Sequence, residues 1–195
     1  MVDYKKRFKA YLIDLAIVFG IIFLIYLLIP RSNEIKILSN SLYELNVLFT
    51  SNQISFSEYY QDLSIAVRQI DYLQIYLTLI NIFLIIIYFV MYPYFTDGKT
   101  YGQRKMKIQI VNFNNEIPNV RQFMIRNLVI NGLLYMFGSV LLLFIAKESS
   151  YFTMITILGI IQLLIVIISS YMVIYNSEKK GLQDILSNTF FKEEV

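Results

Sequence analysis

The residues best suited to chemistry stand at the start of the first long apolar run. Arg7 and Asp14 are seven residues apart, so on a helix they lie on nearly one face, two turns from each other. If the run from Tyr11 to Ile29 crosses a membrane, Arg7 lies at headgroup level and Asp14 lies inside the bilayer. An ionised carboxylate at that depth costs on the order of 3 kcal/mol, so it normally has a partner. Two interpretations stay open: an Asp hydrated among the headgroups, or an Asp with a functional or architectural role.

The composition is that of a membrane protein. Hydrophobic side chains make up 57% of the 195 residues and charged ones 16%, whereas soluble domains carry about a quarter charged residues. The chain has no cysteine and no histidine, so it lacks thiolate chemistry, the usual general base and the commonest metal ligand. We therefore expect no enzyme, no metal site and no cofactor. The net charge of +3 does not indicate nucleic-acid binding.

Four apolar runs are long enough to span a bilayer, a length of roughly 18 residues or more. They cover residues 10–29, 73–92, 126–146 and 152–175. The fold class predicted is an all-α polytopic membrane protein with a four-helix transmembrane bundle. Its second helix is predicted to begin near Phe56 and to continue unbroken to about Met91, since no Gly or Pro intervenes before Pro93.

The polar segment 31–71 predicts an extracytoplasmic helical hairpin. Its first half has apolar residues spaced three and four apart, which is one stripe on a helix: Ile35, Leu38, Leu42, Leu45 and Phe49. Ser55 and Glu58 then have the spacing of a capping box that opens a second helix. The hairpin could lie on the membrane surface, dock a partner or pack against the bundle, and we favour packing.

The distribution of basic residues predicts the orientation. Residues 1–9, 99–126 and 176–195 carry thirteen of the seventeen Lys and Arg, and the hairpin with the turn at Lys147 carries four. By the positive-inside rule, four spans then place both termini, loop 96–125 and tail 176–195 in the cytoplasm. The predicted location is the cell membrane.

The loop and the tail together predict a short cytoplasmic β element. A tight turn is expected at Asp97-Gly98. After it, apolar and polar residues alternate from Met106 to Ile110, which is strand periodicity. The tail segment 188–191 is a candidate partner strand, because a lone strand would leave its backbone groups unpaired.

These motifs resemble the RDD family of small bacterial membrane proteins, over nearly the whole chain except segment 31–71. The Arg and two Asp of the family name correspond to Arg7, Asp14 and Asp184. The central glycine-rich element of the family and the arginine that opens its next helix correspond to Gly98, Thr100, Gly102, Arg104 and Arg126. Two positions depart from the family pattern: Gln103 replaces a usual lysine, and Gln183 replaces a frequent histidine.

What the resemblance implies about activity is transport of a cation or small solute, with cation/proton antiport attributed to some members. Asp14 would carry it, with Tyr88, Asn131 and Ser170 at similar depth. Four short spans without broken helices are a small scaffold for alternating access, so transport would require a homo-oligomer. The alternative is a non-catalytic regulatory or assembly subunit. The partners expected are the lipid bilayer and a second copy or another membrane protein.

Two predictions concern polar groups inside the bundle. Asn81 and Gln162 are mid-membrane amides, and we interpret them as bonds between helices rather than as a substrate site. Arg7 is predicted to contact Asp184 and to bridge it to Asp14, because a guanidinium offers five donors. Arg104 is the alternative partner of Asp184.

Overall fold

A computed structural model describes residues 2–30 and 32–193. In this part of the chain three helices are long and apolar enough to cross a membrane, namely Tyr4–Leu28, Ile75–Phe95 and Glu148–Tyr175. A fourth candidate is a pair of helices, Val120–Ile130 and Leu133–Ile145, bent by 80° at the break between them. These helices indicate a multi-pass membrane protein with three spans, or four if the bent pair is one span.

The elements follow one another along the chain as helices, with one strand near the middle and one near the end. The helices are α1 Tyr4–Leu28, α2 Asn33–Thr50, α3 Phe56–Leu73, α4 Ile75–Ile86, α5 Tyr92–Phe95, α6 Tyr101–Lys105, α7 Val120–Ile130, α8 Leu133–Ile145, α9 Tyr151–Tyr175 and α10 Leu182–Leu186. A π-helical turn, Ile87–Met91, joins α4 to α5, and a 3-10 turn, Glu148–Ser150, precedes α9. The strands are β1 Ile108–Asn112 and β2 Thr189–Glu193.

The predicted helical hairpin is present as α2 and α3. Ser32 caps α2 by accepting a bond of 3.2 Å from the Ile35 N–H. Ser55 and Glu58 form the predicted capping box, and their bonds hold the pKa of the exposed Glu58 carboxyl below its usual value. The rings of Phe49 and Tyr59 stack at 4.4 Å between the two helices.

The hairpin packs against the start of α9. Ser64 is fully buried, donates to the Glu148 carbonyl and accepts a bond of 3.1 Å from the Phe152 N–H. Tyr151 donates to Asp71 at 2.8 Å, and burial raises the pKa of that carboxyl. Packing against the bundle, the favoured interpretation of this segment, agrees with these contacts.

The prediction of one unbroken helix from Phe56 to Met91 is wrong at Gln74, and the helix also contains a π turn near its end. Gln74 leaves the helical conformation, with φ −102° and ψ 8°, and separates α3 from α4. The π turn follows thirteen residues later, and Pro93 explains it. A proline has no N–H for the carbonyl four residues earlier and its ring collides with that carbonyl, which here belongs to Phe89. The Asn127 side chain donates to the Phe89 carbonyl instead, at 3.0 Å.

The predicted span 126–146 is not one continuous helix, because the helix breaks at Asn131-Gly132. Gly132 has φ +71°, a conformation that glycine adopts without steric cost. Gln162 of α9 pairs two backbone groups that flank the break. Its amide nitrogen donates to the Val129 carbonyl at 2.8 Å, and its oxygen accepts from the Tyr135 N–H at 3.3 Å. Gln162 therefore joins helices as predicted, but without Asn81, which donates to the Tyr26 hydroxyl at 2.8 Å.

The predicted pairing of loop and tail is confirmed. Strands β1 and β2 form a two-stranded antiparallel sheet in which Ile110 lies opposite Phe191. The turn at Asp97-Gly98 is present, with positive φ at both residues. The inner face of the sheet joins a core that includes Val2 and Ala10 near the start of the chain. The end of the bundle that carries residues 2–10, this sheet and α10 is called the terminal end below.

We predict that Gln162→Leu lowers the free energy of unfolding by about 1–3 kcal/mol, because it leaves a buried carbonyl and a buried N–H unpaired. The measurement is thermal unfolding of the protein in detergent. Thr156→Val on the same helix is the control, since Thr156 bonds only within its own helix, to Phe152. An equal loss in both variants would contradict the role given to Gln162.

Candidate functional site

The first charged centre is Asp14, which is 1% exposed. One carboxylate oxygen accepts from the Tyr88 hydroxyl and from the Gly102 N–H, both at 2.7 Å. The other accepts from the Thr100 hydroxyl at 2.5 Å. These donors come from the π turn, the loop before α6 and α6 itself. One carboxylate therefore ties α1 to two neighbouring segments.

The glycine-rich loop has the shape that this contact needs. Thr100 caps α6 in a reciprocal box with Gln103, and its hydroxyl also donates to Asp14. Gly102 allows α6 to lie directly on α1, because a Cβ there would stand 2.2 Å from the Ala10 carbonyl oxygen. At Gly98, φ is +72° and a Cβ would stand 2.4 Å from the Ile110 carbonyl oxygen. Gln103, which departs from the family lysine, completes the cap.

The second charged centre is Asp184, which is fully buried on α10. Arg7 donates to its carboxylate at 3.0 Å, Arg126 forms a closer ion pair with the other oxygen, and the Gly181 N–H donates at 2.9 Å. Both guanidinium groups lie over the Phe191 ring, with their carbons 4.7 Å and 4.6 Å from its centroid. α1, α7, α10 and β2 therefore meet at one carboxylate.

The predicted contact between Arg7 and Asp184 is present, but the predicted bridge to Asp14 is wrong. The oxygens of Asp14 are occupied by three neutral donors instead. Asp184 has a second arginine partner, Arg126, which was not predicted, and the alternative partner Arg104 lies elsewhere. The Arg104 side chain lies over the Tyr92 ring, 5.6 Å from its centroid.

Asp14 and the two arginines that pair with Asp184 line one cavity of about 250 Å³. Its walls include Asp14, Arg7, Arg126, Asn131 and Ser170. The sequence-based expectation that Asn131 and Ser170 lie near the depth of Asp14 agrees with this lining. Tyr88 belongs to the same neighbourhood through its bond to Asp14.

A second cavity of about 400 Å³ lies beside the first and reaches Tyr26 and Asn81. The two cavities share four wall residues, namely Tyr11, Phe89, Ile130 and Asn131. The Tyr11 hydroxyl donates to the Asn131 side chain at 3.0 Å, across this shared wall. In the described ranges, no three acidic side chains converge in a way that could hold a metal ion.

Sequence reasoning missed three residues of this site. Tyr11 stands in an apolar run four residues after Arg7, where a tyrosine is normally an interfacial residue. Asn127 precedes Asn131 by one helical turn, and that spacing was a usable signal for paired amides. Phe191 carries no local signal, because the pairing of the strands is what brings its ring against two arginines.

The fold and these contacts define a small polytopic helical membrane protein whose central loop and tail fold back on the first helix. Within that class, the model of the RDD family matches residues 2–188, and the chain belongs to the RDD family. The match includes every residue that carries the resemblance. No curated protein and no solved structure matches the chain.

We predict strong coupling between Arg7 and Asp184. Asp184→Asn should lower the free energy of unfolding by about 3–5 kcal/mol, because it leaves two buried guanidinium groups uncompensated. Arg7→Ala should lower it by less, because Arg126 still pairs with Asp184. The double variant should lose less than the sum of the single losses. Thermal or denaturant unfolding in detergent measures all three. The exposed pair Lys6–Glu193, at 2.7 Å, is the control and should be additive. Additive losses at Arg7 and Asp184 would remove the argument for a shared contact.

We also predict that Gly102→Ala destabilises the protein by more than about 1 kcal/mol, since the new methyl group forces α6 away from α1 and from Asp14. Gly20→Ala is the matched control on α1, because nothing lies within 4 Å of a Cβ at Gly20. That control should be neutral or stabilising by about 0.5–1 kcal/mol. Melting temperatures measured side by side test the pair, and a tolerated alanine at 102 would contradict the close contact.

Proposed function

We propose that the protein transports an ion or small polar solute across the membrane through the two cavities. The observation that carries this proposal is their shared wall, which is bridged by the hydrogen bond between Tyr11 and Asn131. Loss of one hydrogen bond and a small movement of side chains would join the cavities. The first cavity lies at the terminal end and the second reaches further along α1.

The free-energy cost of polar and ionisable side chains in the cavity wall supports the proposal. Ionisable side chains within membrane-spanning helices are expensive, and they normally mark a pathway or a binding site. Arg126 and Asn127 of α7 face the same cavity as Asp14 of α1. A purely structural bundle could fill this volume with apolar side chains at lower cost.

The interruptions in the helices also support transport. The sequence predicted no broken helices, which is unfavourable for a transporter. The bent pair α7 and α8 is such a broken helix. Transporters commonly place a discontinuous helix beside the substrate site. Here Asn131, at the break, forms part of the wall between the cavities.

Cation/proton exchange is the form of transport that we propose for Asp14. A protonated Asp14 would have to donate one bond, whereas all three of its partners now donate to it. The hydroxyls of Tyr88 and Thr100 can reverse direction, but the Gly102 N–H cannot. Protonation would therefore turn the Thr100 hydroxyl from donor to acceptor and weaken the bond from the Gly102 N–H, since a neutral carboxyl oxygen accepts more weakly than an ionised one. The charge of Asp14 would in this way affect how firmly α6 is held on α1.

A non-catalytic regulatory or assembly subunit is the second candidate. It is favoured by the near-complete burial of Asp14, whose three bonds would serve equally well as a fixed joint. Neither candidate includes a covalent step, in keeping with the absence of cysteine and histidine. We further propose cytoplasmic termini, from the count of basic residues, and a homo-oligomer for the transport form.

Flux into liposomes that contain the pure protein tests transport. Imposed K⁺ or Na⁺ gradients and a trapped pH dye report cation/proton exchange. Tyr11→Phe removes the bond between the cavities and should raise the flux by about fivefold, the equivalent of one hydrogen bond of about 1 kcal/mol. Asp14→Asn should abolish proton coupling. Tyr171→Phe is the control, since Tyr171 is 61% exposed on α9. Flux no greater than that of empty liposomes for both cations would favour the second candidate.

A further inference from the structure

The buried charges at the terminal end do not balance locally. Arg7 is 7% exposed and Arg126 is 3% exposed, and both pair with the single carboxylate of Asp184. Asp14 lies seven residues from Arg7, about 10 Å along the helix axis, and three neutral donors occupy its oxygens. The group formed by the two arginines and Asp184 therefore carries one positive charge in excess.

Each arginine also has an N–H without an acceptor. The Arg7 Nε and the Arg126 Nη2 are buried and have no hydrogen-bond partner in the described part of the chain. A buried donor left unpaired costs about 1–3 kcal/mol, and more when it is charged. Phe191 covers one face of each guanidinium, but a ring face does not replace an acceptor at the edge. Both side chains line the first cavity, so an acceptor bound there would have these donors beside it.

The cavity has the shape of a cleft between α1 and α9. α1 packs mainly against α6, and α9 packs mainly against α8 and α3, so neither fills the space between them. Tyr4 and Phe8 line one wall, and Val166 and Val173 line the other. Phe8 is 45% exposed, so its wall continues to the outer surface of α1. The arginines therefore lie at the end of a cleft with largely apolar walls.

We propose that this cleft binds a singly charged oxyanion, a phosphate or carboxylate group, at Arg7 and Arg126. One negative charge matches the excess, and guanidinium groups suit planar or tetrahedral oxyanions because their donors form a fork. The apolar walls fit an anion that carries a hydrocarbon part, such as a lipid headgroup, whereas a soluble phosphate would use only the charged end. Binding at equilibrium requires no flux, so the proposal does not depend on transport.

The experiment measures the melting temperature of the full chain in neutral detergent with phosphatidylglycerol, phosphatidylcholine or inorganic phosphate. We expect phosphatidylglycerol to raise the melting temperature above the value in phosphatidylcholine, because a ligand that binds only the folded state stabilises it. Val166→Phe adds bulk to the apolar wall of the cleft and keeps both arginines, and it should abolish the difference. Ile167→Phe, at a residue 53% exposed on the same helix, should retain it.

Each outcome decides the proposal. A shift with inorganic phosphate alone that Val166→Phe removes identifies a soluble oxyanion as the source. Equal melting temperatures in both lipids with no effect of phosphate would overturn the proposal, as would a phosphatidylglycerol shift that survives Val166→Phe. If Val166→Phe does not fold, Ser170→Phe on the same wall takes its place.

Discussion

The terminal end of the protein depends on a single buried carboxylate. Asp184 is fully buried and accepts from two arginines and a backbone N–H. A buried charge is tolerated only when it is paired and hydrogen-bonded, so neither arginine can be withdrawn without loss. Because Arg7 comes from α1 and Arg126 from α7, the tail cannot leave the bundle without leaving a guanidinium group of each helix without its carboxylate partner. This ion-pair group adds to the apolar core that the sheet forms with Val2 and Ala10.

Asp14 is also a buried carboxylate, but its hydrogen-bond partners are neutral groups instead of arginines. It is held by neutral donors, two hydroxyls and one backbone N–H, which come from segments far apart in the sequence. The two acids thus anchor α1 to different partners: Asp184 ties its first turns to the tail, and Asp14, ten residues after the first residue of α1, ties the helix to the central loop. The contacts of α1 with the tail and with the loop therefore involve separate carboxylates.

The sequence predicted features that depend on local pattern or charge. The capping box of α3, the alternation of β1 and the pairing of Arg7 with Asp184 all follow from short-range chemistry or from the need to neutralise buried charge. The breaks at Gln74 and Gly132 were missed, since an apolar run hides a change of direction. Asn131-Gly132 is nevertheless a turn dipeptide, and it was a readable signal inside the run. Arg126 was predicted only to open a helix, because its partner Asp184 lies 58 residues further along the chain.

One chain of hydrogen bonds connects the π turn after α4 with the break between α7 and α8. Asn127 donates to the Phe89 carbonyl that Pro93 leaves without an N–H, and its oxygen accepts from Asn131 at the break before α8. Asn131 in turn accepts from Tyr11 of α1. A change at any member shifts the acceptors of the others, because each amide has a fixed set of donors and acceptors. The π turn, the helix break and the wall between the cavities are therefore coupled physically, and α1 cannot move at Tyr11 without affecting both interruptions.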